Sequence, residues 1–368
     1  MVRFGLAVMD AFLSLFFFRK NKFPTNIKRI LIIKPDHLGD VLLLTSVLPL
    51  MAQKYPDISI DIVCGSWANE LLRTNKHIRN IYNVDHFWLN RSKKSFIKKL
   101  SIFIKNYFNV LIKLRANHYD LCLLMRPYIG NLITLGKLSG SAYLIGHETV
   151  GFGPLCDKVV AWQEGKHEVE HFLEILQPLD ITHVNVKELR TELYCEQTDI
   201  DYVDKLMLQN ALQRKKFIII HPGAGVKEKC LSIDVWLKLI QKLNGDTVIC
   251  GTAQEKEYFN FFATHYTGTN RLIDLTNQLS LSQLYILFSR AETIFTLDSL
   301  AAHVGAMSGS QIVGFYFYQP YSDPIEQNNY LMQWRPLAKH VHILNSLPEI
   351  DNFIERMPLA LYNCSQSG

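Results

Sequence analysis

The chain is poor in several features that would place it in large functional classes. Its seven cysteines, at positions 64, 122, 156, 195, 230, 250 and 364, are scattered, odd in number and never spaced C-x-x-C. That pattern argues against a thiolate metal cluster and fits free, mostly buried thiols in a reducing cytosol. Excess charge is also small: 39 basic residues against 34 acidic ones leave a net +5. This is too little to imply a nucleic-acid partner, and it suits an anionic small molecule or a membrane surface. The apolar run at residues 4–18 is interrupted by Asp10 and falls short of the ~20 residues of a bilayer span. No small-residue cleavage site of a signal peptide follows it. A low-complexity linker is missing as well, so two domains, if present, are expected to touch. What the chain does have is apolar material, 48% of 368 residues, enough for two cores.

Two stretches are amphipathic. Residues 1–27 hold the apolar run, followed by Arg19, Lys20 and Lys22. They read either as a helix packed on the body of the protein or as an interfacial anchor, with Phe and Leu immersed and the basic residues at the headgroups. Within residues 91–120, Phe96, Leu100, Phe103, Tyr107, Leu111 and Leu114 recur at helical spacing. Lys93, Lys94, Lys98, Lys99, Lys105 and Lys113 supply a basic face. That face is either solvated or in contact with anionic lipid or a phosphorylated acceptor.

One unit occurs twice. "KRILIIKPDHLGDVLLLTSVLPLMAQKYPDISIDIVCG", from Lys28, gives a buried strand at 30–33, a polar loop, a helical pattern through Leu42, Val47 and Leu50, and a strand at 58–63. "KFIIIHPGAGVKEKCLSIDVWLKLIQKLNGDTVICG", from Lys216, repeats it with a strand at 217–220, a helix over 233–243 with Ser232 as its N-cap, and a strand at 247–250. Further strands are expected at "YDLCLLM", "NRLIDL", "AETIFTL" and "SQIVGFYF". Strand–loop–helix–strand is the unit of a parallel sheet. The fold class is therefore α/β, two doubly wound domains joined near residues 180–200, with ligand expected at the carboxyl ends of the strands.

Three loops occupy that position. "KPDHLGD" offers Lys34, Asp36, His37 and Asp40, with Gly39 allowing a tight turn into the helix. Asp40 falls in the first helical turn, where it either complements the helix dipole or serves as a general base. "HPGAGVKEK" carries Gly223, Gly225, Lys227 and Lys229. It lacks the G-K-[ST] of a P-loop, yet it can bring backbone N–H groups and an ammonium to a phosphate. "TIFTLDSLAAHVGA" runs a strand into Asp298 and Ser299, with His303 further along the following helix. That junction is an anion site unless Asp298 or Ser299 merely caps it.

"GKHEVEHF" contains His167-Glu168-Val169-Glu170-His171, literally the H-E-x-x-H of zinc peptidases. Gly165 just upstream marks a helix start rather than the mid-helix position that motif needs, and Pro178 breaks the path to a third ligand at Glu188 or Glu192. "DID" at 199–201 mimics a glycosyltransferase metal motif but is expected in the linker.

The stretch "RILIIKPDHLGDVLLLTSVLPLMAQKYPDISIDIV" resembles the opening of glycosyltransferase family 9, the ADP-heptose:lipopolysaccharide heptosyltransferases. "HPGAGVKEK", "CGTAQEKE", "LTNQLSLSQLYILFSRAETIFTLDSLAAHVGA" and "YSDP" resemble that family's second-domain landmarks in order, and "HEVEHFLEIL" its H-x-V-E element. The resemblance spans about residues 28–324. It implies a GT-B fold, two Rossmann-like domains facing across a cleft. It further implies an acceptor-side domain at 28–185, a donor domain at 186–345 and a C-terminal tail or helix at 346–368.

The implied activity is metal-independent, inverting transfer of a heptose or related sugar. The donor is a nucleotide sugar, ADP-heptose foremost, and the acceptor a lipopolysaccharide core or another lipid-linked saccharide. The setting is cytoplasmic, with inner-membrane contact as an option and no nucleic acid or cofactor. Asp40 would be the base. Lys229 would stabilise the leaving diphosphate, with Gly223, Gly225, Ser299 and His303 in its cradle, Asp298 positioning the sugar and Glu255 near the nucleoside. Lys34, His37, Gly39, Lys98 and Lys99 would lie on the acceptor side. The family's D-[ST]-G-x-x-H has Leu300 for its glycine, its tryptophan and proline after the lysine are Leu231 and Ser232, and no glycine precedes Pro320. These departures leave room for another donor, a protein acceptor or a non-catalytic nucleotide-sugar-binding scaffold.

Overall fold

The computed structural model describes residues 2–17, 20–127, 132–147, 151–317, 322–338 and 340–357. The chain forms two compact units, Met1–Leu189 and Arg190–Gly368. Residues 199–201 lie well inside the second of them.

In the first unit, strands β1 (Arg29–Ile33), β2 (Ser59–Cys64), β3 (Ile78–Asn83), β4 (Leu121–Leu124), β5 (Tyr143–His147) and β6 (Lys158–Val160) form one parallel sheet in the order β3-β2-β1-β4-β5-β6. The central strands are apolar on both faces, as a sheet covered by helices on each side requires. The helices are α1 (Val2–Phe16), α2 (Leu38–Leu44), α3 (Leu48–Lys54), α4 (Asn69–Leu72), α5 (Phe96–Arg115), α6 (Ile133–Leu138) and α7 (Glu168–Leu176). The helical pattern expected through Leu50 is broken in two, with a 3₁₀ turn at Thr45–Val47 between α2 and α3. Pro49, near the start of α3, has no N–H to continue the ladder from α2.

Strand order runs outward in both directions from the β1/β4 pair. Right-handed crossovers therefore put α2, α3 and α4 on one face and α5 and α6 on the other. α1 joins the second face: its Leu13, and Phe17 just after it, pack on the core that also takes Phe103, Tyr107, Val110, Leu111 and Leu114 of α5 and Ile133 and Leu135 of α6.

The second unit repeats the plan. Strands β7 (Phe217–His221), β8 (Asp246–Ile249), β9 (Leu272–Asp274), β10 (Thr293–Leu297), β11 (Gln311–Phe315) and β12 (Val341–Leu344) are parallel, in the order β12-β11-β10-β7-β8-β9. Its helices are α8 (Gln197–Gln209), α9 (Ile233–Gln241), α10 (Lys256–His265), α11 (Leu281–Arg290), α12 (Leu300–Ser308), α13 (Pro324–Trp334) and α14 (Leu347–Glu355). Trp236, Phe295 and Phe315 centre the core, which Ile350, Phe353 and Ile354 of α14 complete. Residues 199–201 are on α8, not in a linker: Asp199 Oδ2 accepts the backbone N–H of Glu196 at 3.3 Å, closing a capping box. Ser232 stands at the N-cap of α9, but its side chain makes no capping bond.

Each sheet reverses direction at one place, between β1 and β4 and between β7 and β10. That switch point, outside the strand carboxyl ends, is where doubly wound sheets bind ligands.

Candidate functional site

Lys34 is the first residue after β1, and Arg126 is the second after β4, so both stand at the first switch point. Lys34 is almost wholly buried and held from two sides, its Nζ 2.7 Å from Glu168 Oε1 and 3.0 Å from Asp36 Oδ2. The ammonium also lies 4.7 Å above the Phe172 ring. Arg126 pairs with the other oxygen of Asp36. Two cations and two carboxylates thus balance inside the protein. Such a cluster contributes little net stability, but breaking it strands a buried charge.

Asp40, in the first turn of α2, is the carboxylate beyond that balance. Burial, reinforced by Glu168, pushes its pKa up to about 6 against the opposing pull of Lys34, the His37 backbone N–H and Arg91. A carboxylate with this value is more basic than an ordinary aspartate and still mostly ionised at neutral pH. His37, the N-cap residue of α2, is lowered to about 4 by burial and then by Arg91, so it is neutral. Its ring lies 6.3 Å from Trp67, whose indole N–H donates to the Asp36 carbonyl at 2.7 Å. Gly39 does not do what its position suggested. It is the second residue of α2 and is not among the residues of positive φ, since the extended backbone at His37 makes the turn.

The H-x-V-E element supplies the Glu168 arm of this cluster. His167 is the N-cap of α7: its Nδ1 accepts from Val169 N–H at 3.2 Å, while Glu170 Oε2 accepts from His167 N–H at 2.7 Å. The H-E-x-x-H pattern therefore resolves into a capping box. Among the described residues, one group of His, Cys, Asp or Glu could hold a metal ion, formed by His147, His171 and Glu174. Each is engaged internally: His147 Nε2 with the His171 carbonyl at 3.0 Å, His171 Nδ1 with Glu174 at 3.2 Å, and Glu174 with Lys166. Trp162 stacks on His171 at 3.5 Å. The group pins the start of α7 to β5.

At the second switch point, Asp298 follows β10 and Lys229 closes the 3₁₀ turn after β7. The two form an ion pair. Tyr330 of α13 joins them, its hydroxyl 2.7 Å from Lys229 Nζ and 3.0 Å from Asp298 Oδ2, with the ring 5.4 Å from the ammonium. Ser299 occupies the N-cap of α12, yet neither it nor Asp298 caps that helix. Ser299 Oγ is buried without a hydrogen-bond partner among the described residues. Leu300 begins α12, and His303 is buried one turn on.

Glu255 closes a second wall. Its Oε2 accepts from Thr252 N–H at 2.6 Å and from Thr252 Oγ1 at 2.7 Å. A Cβ on Gly223 would come within 2.3 Å of Glu255 Oε1, so glycine there is what lets the carboxylate reach the "HPGAG" loop. Gly225 is exposed in the same loop.

Lys34, His37, Gly39 and Asp40 are thus brought together in the first unit, and Lys229, Asp298, Ser299, Glu255, Gly223, Gly225 and His303 follow the strand ends of the second. Lys98 and Lys99 are not part of the Lys34 cluster. They lie on α5, across the sheet from α2. Sequence reasoning did not assign Tyr330, Arg126 or Glu168 to the sites. Glu168 was read as the glutamate of H-E-x-x-H and as the variable position of H-x-V-E, neither of which ties it to Lys34, and Tyr330 is 32 positions from its partner Asp298. Residues 318–321, including Pro320, fall outside the described residues.

Two Rossmann-like units with charged groups gathered at each switch point define a two-domain α/β protein, and solved structures share that fold. A family 9 glycosyl transferase from Veillonella parvula matches with a TM-score of 0.72 at 20% identity, over 92% of this chain and 91% of that one. The Escherichia coli ADP-heptose lipopolysaccharide heptosyltransferase II matches at 0.69 and 18%, over 91% and 98%. In sequence, lipopolysaccharide heptosyltransferase 3 of Escherichia coli (strain K12) is 27% identical over 304 residues, 78% of this chain and 84% of that one. Residues 109–341 match glycosyltransferase family 9 (heptosyltransferase). The chain belongs to this family and is a glycosyltransferase.

Proposed function

We propose that the protein transfers a heptose from a nucleotide-sugar donor, ADP-heptose foremost, to a lipopolysaccharide core or related lipid-linked saccharide presented at the cytoplasmic face of the inner membrane. The reading assigns Asp40 the acceptor's proton. As the acceptor oxygen attacks the anomeric carbon and inverts it, its proton passes to the carboxylate, and the bond to the diphosphate breaks with the electron pair leaving on phosphate. Lys229, rather than a metal ion, meets the charge growing there. Backbone N–H groups at the start of α12 and the Ser299 hydroxyl complete the cradle. Asp298 orients the sugar once Lys229 turns to phosphate, and Glu255 faces the nucleoside. The matched relatives named for heptose transfer support the sugar.

The observation that carries this reading is Asp40: a carboxylate made basic by burial, at a strand-end switch point, beside ion pairs that already balance one another. General-base assistance contributes about 10²–10⁴-fold. Asp40→Asn is therefore expected to lower turnover by that factor while donor binding persists, measured by nucleotide release and by thermal shift with donor. Unchanged turnover would remove Asp40 as the base.

Leu300 favours one variant of this reading, a different donor, because a side chain stands where diphosphate would meet bare backbone. Thermal shifts against ADP-, UDP-, GDP- and CMP-sugars separate the two. A ligand at 100 times its Kd stabilises the fold by ~2.7 kcal/mol.

A further inference from the structure

The large hydrophobic side chains exposed on the described surface are not scattered. Four lie on α1, five on α5 and one, Trp88, in the turn before α5, together ten of sixteen. Sequence spacing gave α5 one apolar face and a basic one, either solvated or in contact with anionic lipid or a phosphorylated acceptor. The inward face is there, in Val110, Leu111 and Leu114. A second apolar stripe faces outward: Ile97, Ile104, Phe108 and Ile112, from 46 to 79% exposed and spaced seven, four and four residues apart. That spacing keeps all four on one side of a helix of 3.6 residues per turn. α1 does the same, half-burying Leu13, with Phe17 just beyond its end, and exposing Val8, Phe12, Leu15 and Phe16.

The two stripes share a layer. α1 and α5 pack on one core, on the same face of the sheet. α6 lies between them, with Lys137 Nζ 5.9 Å over the Phe17 ring of the α1 side and Tyr107 of α5 bonded to Thr134 at 3.0 Å. Helices laid side by side on one face turn their outer sides the same way, and Leu138 of α6 adds a half-exposed apolar side chain between them.

Charge says what covers this layer. Residues 93–115 contain six lysines and one arginine and no acidic residue. A second copy of the chain would bring that basic surface against itself. A bilayer with anionic headgroups is complementary, with lysine stems lying along the acyl boundary and ammonium groups at phosphate level. No helix among the described residues is long and apolar enough to cross a membrane, so contact would lie along the surface. We propose that the outer faces of α5 and α1 form one membrane-docking surface that seats in the headgroup region of an anionic phospholipid bilayer. This reassigns Lys98 and Lys99 from acceptor binding to lipid. It deepens the proposed function by naming how the chain reaches a membrane-borne acceptor.

Co-sedimentation of the full chain with sucrose-loaded vesicles, phosphatidylcholine alone or with 30% phosphatidylglycerol, tests it without any sugar. It can therefore fail independently of the transfer chemistry. The expected result is at least about tenfold stronger partitioning to the anionic vesicles, weakened by salt. Phe108→Ser with Ile112→Ser should lower binding to anionic vesicles about tenfold or more. Lys98→Glu with Lys105→Glu should abolish the preference for anionic lipid. These side chains are exposed, so thermal melting should stay at the parent value; Phe12→Ser with Phe16→Ser tests the α1 stripe if the α5 variants misfold. The proposal is overturned if the parent chain stays in the supernatant with both vesicle types, or if none of the substitutions changes partitioning. It is also overturned if light scattering shows a dimer that Phe108→Ser with Ile112→Ser dissociates, which would make the surface an interface between copies.

Discussion

The two strand-end loops occupy the same topological place and are built on opposite principles. After β1, the lysine is sealed in, matched to Glu168 and Asp36 and roofed by Phe172, and it never meets solvent. After β7, the lysine stays partly exposed on a 3₁₀ turn and is shared between Asp298 and Tyr330. The first arrangement fixes an environment and leaves Asp40 basic. The second leaves a cation within reach of solvent, the one that the proposed function turns toward an anion. One duplicated fold has turned one lysine into scaffolding and left the other accessible.

Exchanging each lysine for an isosteric apolar residue should expose that contrast. Lys34→Met takes the ammonium from buried Glu168 and leaves Asp36 with Arg126 alone, and removing one partner of a buried pair costs about 3–5 kcal/mol. A large drop in the first unit's melting temperature is expected. Lys229→Met should lower melting less, because this pair is partly exposed, and lower turnover about 10²–10³-fold, the usual loss of one electrostatic contact to developing charge. Equal effects on melting would erase the distinction.

The pH profile sharpens it further. Asp40 must be ionised to accept a proton, and its folded pKa is raised to about 6. The rate should therefore fall tenfold per unit as pH drops below about 6, whereas an ordinary aspartate would hold it flat to near 4. Tyr330→Phe should have the smallest effect. Losing its hydrogen bonds to Lys229 and Asp298, each worth about 0.5–1.5 kcal/mol, should raise the donor KM by at least about 2–10-fold. No change would make Tyr330 a packing residue.

Much of the fold was legible because the buried central strands announce themselves: "RILII", "FIIIH" and "TIFTL" are apolar, β-branched and bounded by polar turns. β3, β5, β6 and β12 were not. β3 and β6 are edge strands with exposed, mixed side chains, and β5 is five residues long with Gly146 inside it. The break at Pro49 was readable from the proline but was smoothed over by continuous hydrophobicity. At the sites, residues beside a strand end could be found by position, as with Asp40, Asp298 and Lys229. Partners arriving from distant elements, such as Arg126 and Tyr330, leave no local signal. The outward stripe of α5 was hidden for another reason: two apolar faces on one helix blur the periodicity that identifies either.

The stretch following α1 is stitched along the edge of the first sheet. Lys20 Nζ donates to the carbonyls of Pro154 and Cys156, at 2.7 and 2.6 Å, the Asn21 backbone N–H to Asp157 Oδ1 at 3.0 Å, and the Asn21 side chain to the Ala142 carbonyl at 2.9 Å. Anyone trimming the chain at the start of β1 to gain solubility would strip away greasy surface and, in the same cut, unlace the β5–β6 margin. Surface substitutions that spare Lys20 and Asn21 are the safer route to a well-behaved preparation.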